Sequence, residues 1–312
     1  MSATPDISVV IPVYNEQEGL AALFARLYPA LDALNRSYEL LFVDDGSADR
    51  SVAILREQFE RRPDVTRVVV LAGNFGQHNA ILAGFAQVRG KYVITLDADL
   101  QNPPEEIGKL IVPMDQGHDY VGTVRQMRQD SFLRRWPSKL LNVLRERSTS
   151  IHITDQGCML RGYGRNVIDA INHCPEVNTF IPALAYLFAR SPVEIPVKHE
   201  ERAAGTSKYS MYKLLRLNFD LMTGFSIVPL QIYSLLGIII AFASLSLFVY
   251  IMVQRILNGA DQGGLFTLFS IVFFLLGVLL IGVGLLGEYI GRIYAQVRGR
   301  PRYLIQAVLE KP

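Results

Sequence analysis

The chain has 312 residues, a formal net charge of +2 at pH 7 and two cysteines. The length suits one sizeable domain plus an appendage, because domains average about 100 to 200 residues. The near-neutral charge gives no reason to expect a nucleic acid partner. Cys158 and Cys174 show neither a disulfide framework nor a metal-ligand spacing, which argues against a disulfide-stapled secreted domain and a cysteine-bound metal.

The first two hundred residues alternate between strand-like and helix-like segments. Each of the first four strand-like segments is rich in Val and Ile and is followed by a plausible helix. A fifth strand-like segment, "DYVGTV", ends just before Arg125. The alternation predicts an α/β domain with a parallel, helix-covered sheet. The first four segments are "ISVVIPVY", "YELLFVDD", "TRVVVLA" and "KYVITLDAD".

Polar residues follow three of these segments where the strands should end. Glu16 follows the first, Asp44 the second, and Asp97 and Asp99 the fourth. Because strand side chains alternate, we expect Asp97 and Asp99 to point to the same side, where they repel unless a cation lies between them. The carboxyl ends of parallel strands form the ligand crevice of open α/β sheets. Oxygen ligands favour Mg²⁺ or Mn²⁺, which shares its coordination with substrate phosphates.

Two long runs near the C-terminus carry no Asp, Glu, Lys or Arg: Leu221–Gln254 and Gln262–Gly287. Each exceeds the roughly 20 apolar residues that span a bilayer, so we predict transmembrane helices near Pro229–Ile256 and Leu265–Ile290. The alternative is a buried helical hairpin of a soluble domain. Segment 209–228 is predicted to be an amphipathic helix in the membrane interface, with an ordinary surface helix as the alternative.

The flanking charges predict the orientation of these helices. The connection between them offers only Arg255 against Asp261, whereas basic residues crowd the C-terminal tail. The excess of Arg and Lys predicts that both ends of the chain are cytoplasmic. The predicted organisation is a cytoplasmic domain (1–208), an interfacial segment (209–228), two transmembrane helices (229–291) and a basic cytoplasmic tail (292–312). The tail's basic residues are Arg292, Arg298, Arg300, Arg302 and Lys311.

Two common nucleotide-binding motifs are absent from the sequence. No G-x-G-x-x-G follows the first strand, and no G-K-[ST] loop occurs anywhere. A carboxylate at the end of the second strand could still accept hydrogen bonds from a ribose or a base edge. The residues therefore predict a metal-dependent nucleotide-diphosphate enzyme at a membrane, with helix capping and turn chemistry as the alternative for the D-A-D sequence.

Four ordered motifs, "SVVIPVYNE", "VDDGS", "LDADLQNPPEE" and "GTSKYS", resemble the family-2 glycosyltransferases that load sugars onto polyprenyl phosphates. The resemblance covers essentially the whole chain. It implies a GT-A fold with a parallel-rich sheet, interfacial helices and a C-terminal two-helix transmembrane hairpin. It also implies inverting transfer from a UDP-sugar to undecaprenyl phosphate at the cytoplasmic face of the bacterial inner membrane, for lipid A modification. It also implies that membrane lipids are partners and that the chain forms a homo-oligomer, a tetramer.

Three further stretches, "NFGQHNAILAGF", "VGTVRQMRQDSF" and "LLGEYIGRIYAQVRGRPRY", are similar to members that transfer 4-deoxy-4-formamido-L-arabinose. Glucose or an amino sugar is the alternative donor sugar. A processive polysaccharide synthase is a rival, but Phe132 stands where its Q-x-x-R-W signature has glutamine, and two spans are too few for a conduit. A non-catalytic membrane scaffold is a second rival, against which the intact D-A-D and SKY motifs argue.

The resemblance also implies site residues. Cys158 follows the glycine of "TDQGC", where some relatives have an acidic residue, and this departure makes Asp155 a doubtful catalytic residue. For His78 a structural or donor-loop role is favoured over acid/base work. Arg135 adjoins Arg134, and either could serve at its position. The implied roles are nucleotide-sugar binding by Pro12, Tyr14, Glu16, Asp44 and Asp97, metal binding by Asp99 and Gln101, and catalysis by Asp97, Asp99, Arg125, Arg134 and Lys208 near the two phosphates.

Overall fold

A computed structural model describes residues 4–125, 153–155, 157–174, 180–200, 223, 227–258 and 264–311. These residues belong to two compact units. One contains all the described strands, and the other contains the two long C-terminal helices. Arg134, Lys208 and nearly all of segment 209–228, for which a site role or an interfacial helix was predicted, lie outside the described residues.

The first unit is a mixed α/β domain, whose first four strands match the predicted ones. Its helices are α1 (Leu20–Asp32), α2 (Ser51–Arg61), α3 (Gln77–Phe85), a 3-10 turn (Pro104–Glu106), α4 (Ile107–Asp115), α5 (Arg165–His173) and α6 (Ile181–Phe188). Its strands are β1 (Ile7–Val13), β2 (Tyr38–Asp44), β3 (Thr66–Leu71), β4 (Tyr92–Thr95), β5 (Tyr120–Arg125), β6 (Arg161–Gly164), β7 (Pro192–Val197) and β8 (Ile305–Leu309).

The strands form one eight-stranded sheet in the order β7-β5-β6-β4-β1-β2-β3-β8. The predicted parallel pairing holds for β4-β1-β2-β3 and for β5-β7, whereas β6 and β8 run antiparallel to their neighbours. The chain steps from β1 to β2 and β3 and then crosses to β4 on the other side of β1. This reversal is a topological switch point, where open α/β sheets bind their ligands.

The buried apolar side chains of β1 pack against helices on both faces of the sheet. Val9 and Ile11 lie in the same buried cluster as Leu23 of α1. Val10 points to the other face, where its methyl groups approach Gly84 of α3. Because a strand buried on both faces must be apolar at consecutive positions, the unbroken Val and Ile run of β1 predicted this layer structure.

The second unit holds α7 (Val228–Asn258) and α8 (Gly264–Val297). Both are long and apolar enough to cross a membrane, and the most apolar windows of the two are 0% and 6% buried. A hairpin in the core of a soluble domain would be mostly buried, so the described residues do not support that alternative. The structure extends the second helix beyond the predicted end at Ile290.

The C-terminal tail differs from its prediction. Segment 292–312 was predicted to be a separate basic tail, but Ile305–Leu309 forms β8 and pairs antiparallel with β3 at the edge of the sheet. Beyond the strand, Glu310 accepts hydrogen bonds from Arg67 Nε and Nη2 at 3.0 and 2.7 Å and from Arg89 Nη2 at 2.7 Å. The tail from Arg300 onward therefore belongs to the α/β domain, which a count of its basic residues could not reveal.

Candidate active site

The loops that follow β1 and β2 are tied together by hydrogen bonds. Asn15 adopts a positive φ of 55°, and its N–H donates to Ser47 Oγ at 3.0 Å. The Asn15 side-chain oxygen accepts from Ala48 N at 2.8 Å, and Glu16 N donates to Ser51 Oγ at 2.9 Å. These bonds fix the "YNE" and "DDGS" stretches side by side at the carboxyl ends of their strands.

Asp44 and Asp45 are neighbours with different roles. Asp45 accepts hydrogen bonds from the N–H groups of Phe75 and Gly76 at 2.7 and 2.8 Å, and burial raises the pKa of its carboxyl. Asp44, the last residue of β2, is fully buried, and its Oδ2 accepts from Ser47 N at 3.1 Å. Its Oδ1 is buried without a hydrogen-bond partner among the described residues. Such an oxygen is costly unless a ligand supplies a donor.

The loop after β2 also touches the loop after β3. Gly46 has φ +69°, and a Cβ built on it would lie 2.4 Å from the carbonyl carbon of Gly73. Both the left-handed backbone and the close approach require glycine here. The "DDGS" sequence thus owes its glycine to the contact between two loops at the ligand-binding edge.

The two aspartates of the D-A-D sequence lie in a turn, not in a strand. Because β4 ends at Thr95, the expectation that strand alternation orients Asp97 and Asp99 was wrong. Asp97 Oδ1 accepts a hydrogen bond from Gln77 Nε2 at 2.6 Å, and Asp99 Oδ1 accepts from Gln101 N at 3.1 Å. Leu100 takes a positive φ of 61° and buries its side chain. The turn, anchored by Leu100, orients both carboxylates.

A segment after β7 lies against this turn. The N–H of Glu200 donates to the Gln101 carbonyl at 2.9 Å. Arg26 of α1 pairs with both Glu105 and Glu200, at 2.9 and 2.8 Å. Burial lowers the pKa of His199, the charge of Arg125 lowers it further, and the charges of Asp155 and Asp99 oppose the shift. Arg125 pairs with Val197 at the end of β7, three residues before Glu200, so this segment places Arg125 in the same part of the site as the D-A-D turn.

Arg125, the last residue of β5, is held by Asp155. Its Nε lies 2.6 Å from Asp155 Oδ2 and its Nη2 lies 2.9 Å from Asp155 Oδ1, so the pair is bidentate. Burial alone would raise the pKa of Asp155, but the hydrogen bonds and charge of Arg125 hold it below its ordinary value. Fully buried Arg161 donates to the Asp155 carbonyl at 2.5 Å and to the Cys158 carbonyl at 2.8 Å. Asp155, doubtful as a catalytic residue from the sequence, orients Arg125.

The residues present fit a divalent cation that arrives with its substrate. Within the described ranges, no group of three or more His, Cys, Asp or Glu side chains is placed to hold a metal ion. Mg²⁺ usually binds one or two carboxylates plus substrate phosphates and waters, without a complete protein cage. Asp97 and Asp99 supply that number of carboxylates. The other predicted ligand, Gln101, is in the same turn.

His78, the second residue of α3, is half-buried, and its Nδ1 atom is buried. Burial lowers its pKa to about 4, so the ring is neutral near pH 7. The ring packs edge-on against Phe180 at a centroid distance of 5.5 Å. This environment favours the structural role predicted for His78 over acid/base work.

The structure brings together most of the predicted site residues that it describes. Pro12 lies near the carboxyl end of β1, and Tyr14 and Glu16 come after the strand ends at Val13. The Tyr14 side chain is 48% exposed. Gln77 and Asp155 were not predicted to have their roles, because their partners Asp97 and Arg125 lie 20 and 30 residues away in sequence. The "GQHN" stretch offered the only signal for Gln77: a polar residue that opens a helix after a buried strand.

The sequence of this chain matches a known protein family and a known relative. The sequence profile of "Glycosyl transferase family 2" matches residues 8–171. Undecaprenyl-phosphate 4-deoxy-4-formamido-L-arabinose transferase of Edwardsiella ictaluri (strain 93-146) is 51% identical over 305 residues, which cover 97% of this chain and 94% of that protein.

Solved structures show the same fold. Glucosyl-3-phosphoglycerate synthase from Mycobacterium tuberculosis, in complex with Mn²⁺, UDP and phosphoglyceric acid, matches with a TM-score of 0.53 and 17% identity over 71% of this chain and 77% of that chain. The same synthase with phosphoglyceric acid alone gives a TM-score of 0.50 at 16% identity, over 71% and 79% of the two chains. These matches confirm the predicted GT-A fold. Together with the profile and the full-length relative, they show that the chain is a glycosyltransferase and belongs to glycosyltransferase family 2.

Proposed function

We propose that this enzyme transfers a sugar from a UDP-sugar to undecaprenyl phosphate with inversion at the anomeric carbon. The sugar we propose is 4-deoxy-4-formamido-L-arabinose, because the Edwardsiella ictaluri relative bears that sugar and that acceptor in its name. The match extends over 97% of the chain and so includes the two long apolar helices. A lipid acceptor accounts for these helices, since a soluble acceptor would not need them.

The observation that carries the proposal is the position of Arg125 beside the D-A-D turn. Arg125 pairs with Val197 at the end of β7, and Glu200, three residues further on, donates its N–H to the Gln101 carbonyl of the turn at 2.9 Å. A reaction between a nucleotide diphosphate and a lipid phosphate must hold two groups of negative charge close together. Carboxylates that accept a cation for one group, beside a guanidinium that binds the oxygens of the other, supply that arrangement.

The buried Oδ1 of Asp44 supports a nucleotide donor. It lies at the carboxyl end of β2, beside the switch point between β1 and β4. An N–H or O–H group of the nucleoside would supply the donor that this oxygen lacks among the described residues. Exposed Tyr14 follows the neighbouring strand β1 and offers an aromatic face to a base.

The acceptor phosphate needs little activation. The second pKa of a phosphate monoester is near 6, so the lipid phosphate is largely a dianion at neutral pH. Its oxygen attacks the anomeric carbon as the bond from that carbon to the UDP oxygen breaks, and the electron pair leaves with UDP. No general base is required, which agrees with the neutral, packed ring of His78.

The residues of this chain divide the remaining work. Arg125, oriented by Asp155, binds and orients a phosphate, and we assign Arg134 and Lys208 to the same task. Asp97 and Asp99 would hold Mg²⁺ or Mn²⁺, with Gln101 beside them. When bound, the cation supplies positive charge against the leaving diphosphate. The Mn²⁺ in the structure of the M. tuberculosis synthase supports this assignment, as does the number of carboxylates in the turn, since Mg²⁺ usually binds one or two carboxylates plus substrate phosphates.

The sheet itself supports the proposed membrane topology. Residues before α7 build β1 to β7, and residues after α8 build β8 of the same sheet. Two spans that begin and end in one domain require both flanking segments to lie on the same side of the membrane. The basic residues after α8 favour the cytoplasm as that side, at the inner membrane of a bacterium. We also propose a homotetramer, which rests on the family resemblance alone.

UDP release tests the proposal. The purified chain in detergent receives a UDP-sugar with undecaprenyl phosphate, with phosphoglyceric acid, or with no acceptor. We expect UDP release only with the lipid phosphate and a divalent cation, and its loss in Asp99→Asn. Release that is equal without acceptor, or that follows phosphoglyceric acid, would contradict the proposed acceptor.

A further inference from the structure

A cavity of about 360 Å³ opens at the edge of the sheet where β2, β3 and β8 meet. Its volume is in the range of small-molecule sites. Val52, Val70 and Leu71 form an apolar wall, and the polar side chains that line the cavity are those of Asp44, Ser47, Arg56 and Gln306. An apolar wall with a few convergent polar groups is the usual composition of a site for a flat heterocycle.

Gln306 reaches this cavity because β8 contains a bulge. Ala307 pairs with Val70 and Ile305 pairs with Leu71, so Gln306 is an extra residue opposite a single step of β3. A bulge leaves its extra residue outside the ladder and re-aims the side chain. In a regular strand, Gln306 would point away from the face of its neighbours Ile305 and Ala307; here both Gln306 and Ala307 line the cavity.

The bulge is held from both sides. Before it, Ala72 N donates to the Leu304 carbonyl at 2.8 Å. After it, Glu310 is fixed by Arg67, which also pairs with Glu39 at 2.8 Å through side chains that are each 7% exposed. A side chain carried by a backbone that is anchored at both ends is pre-organised for binding.

The position of the cavity matches the base end of a nucleotide. Strands in a sheet lie about 4.8 Å apart, and β4 is two strands from β2 and three from β3. The cavity is therefore about 10 to 14 Å along the sheet from the D-A-D turn after β4. With the diphosphate at that turn, the nucleoside extends toward Asp44 and the cavity.

We propose that Gln306, on a strand that follows the membrane helices, is a specificity residue for the uracil of the donor. The proposal rests on the proposed UDP-sugar donor. The edge of uracil presents two carbonyl oxygens on either side of an N–H. Asp44 Oδ1 accepts from that N–H, and the Gln306 amide donates to a neighbouring carbonyl. Cytosine, which has no hydrogen on the matching ring nitrogen, leaves Asp44 without a donor.

The test compares Gln306→Met, which keeps the length of the side chain and removes the amide, with Val308→Thr. Val308 is an exposed residue of the same strand and does not line the cavity. Calorimetry gives the Kd of UDP and of CDP, and steady-state assays give KM and kcat for the UDP-sugar. We expect Gln306→Met to weaken UDP binding about 2- to 10-fold, the change that corresponds to one neutral hydrogen bond. KM for the donor should rise with kcat unchanged, and the UDP-over-CDP preference should fall.

The outcomes separate this inference from the proposed function. UDP affinity in Gln306→Met within the error of the wild type overturns the inference. A lower melting temperature and weaker UDP binding in both variants also overturn it, because packing of β8 is then responsible. If the wild type does not use undecaprenyl phosphate as an acceptor, but Gln306→Met binds UDP more weakly than the wild type does, the acceptor proposal fails and this inference stands. A wild-type chain that binds no UDP contradicts both.

Discussion

Replacing Asp155 with Asn separates the positioning of Arg125 from its charge. The substitution keeps the size of the side chain and one carbonyl oxygen, but it removes the negative charge from a bidentate pair with contacts of 2.6 and 2.9 Å. Breaking a buried ion pair by removing one partner costs about 3 to 5 kcal/mol. Because the Arg125 side chain is 23% exposed, water offsets part of this loss, and we expect about 2 to 3 kcal/mol.

Thermal unfolding measures this loss. A change of 1 kcal/mol shifts Tm by about 2 to 4 °C in a chain of 150 to 250 residues, so Asp155→Asn should lower Tm by about 4 to 12 °C. Asp169→Asn is the matched control. The Arg165–Asp169 pair is exposed, with side chains 44% and 51% open to solvent, and should contribute less than about 1 kcal/mol.

The pH dependence gives a second readout on the same variant. Arg125 lowers the pKa of Asp155 in the folded protein, so this carboxylate contributes stability above its unfolded pKa of about 3.9. The contribution is lost as pH falls below that value toward the folded pKa. The wild type should therefore lose more stability than Asp155→Asn on acidification. An equal Tm for Asp155→Asn and Asp169→Asn, together with an unchanged KM for the lipid phosphate, would refute the positioning role.

Three further substitutions test other parts of the site. Asp99→Asn should reduce turnover by roughly 100-fold or more, as with other losses of electrostatic stabilisation, and near-normal turnover at low Mg²⁺ or Mn²⁺ would remove the metal assignment. Asp44→Ala should raise KM for the UDP-sugar more than it lowers kcat, and unchanged UDP affinity by calorimetry would leave Asp44 a structural residue. Gly46→Ala should destabilise the domain by about 2 kcal/mol or more, since φ +69° and the approach to Gly73 both exclude a Cβ; an unchanged Tm would contradict this.

The sequence predicted the part of the fold that local pattern determines. Buried strands need consecutive apolar residues, so the Val and Ile runs of β1 to β4 were visible. β6, "RGYG", was not, because its two glycines and arginine resemble a loop. Its pairing with β4 and the burial of Arg161 make it a strand. β8 was missed for a different reason: its partner β3 lies more than two hundred residues earlier in the chain.

The candidate site shows the same limit. The aspartates at the ends of β2 and β4 were predicted because the carboxyl ends of parallel strands form the ligand crevice of open α/β sheets. The partners that orient them were not, since Gln77 meets Asp97, and Asp155 meets Arg125, only once the chain has folded. Strand alternation failed for Asp97 and Asp99 because β4 ends earlier than the pattern of its residues suggests.

Mass spectrometry of the lipid product tests the central claim most directly. The wild-type chain is incubated with undecaprenyl phosphate, Mg²⁺ or Mn²⁺ and separate UDP-sugars that carry 4-deoxy-4-formamido-L-arabinose, glucose or an amino sugar, and the lipid is then extracted. We predict that the mass of the lipid phosphate increases by one residue of 4-deoxy-4-formamido-L-arabinose, with less or no product from the other donors. A lipid of unchanged mass with every donor, or a polymer in place of a single sugar, would contradict the account.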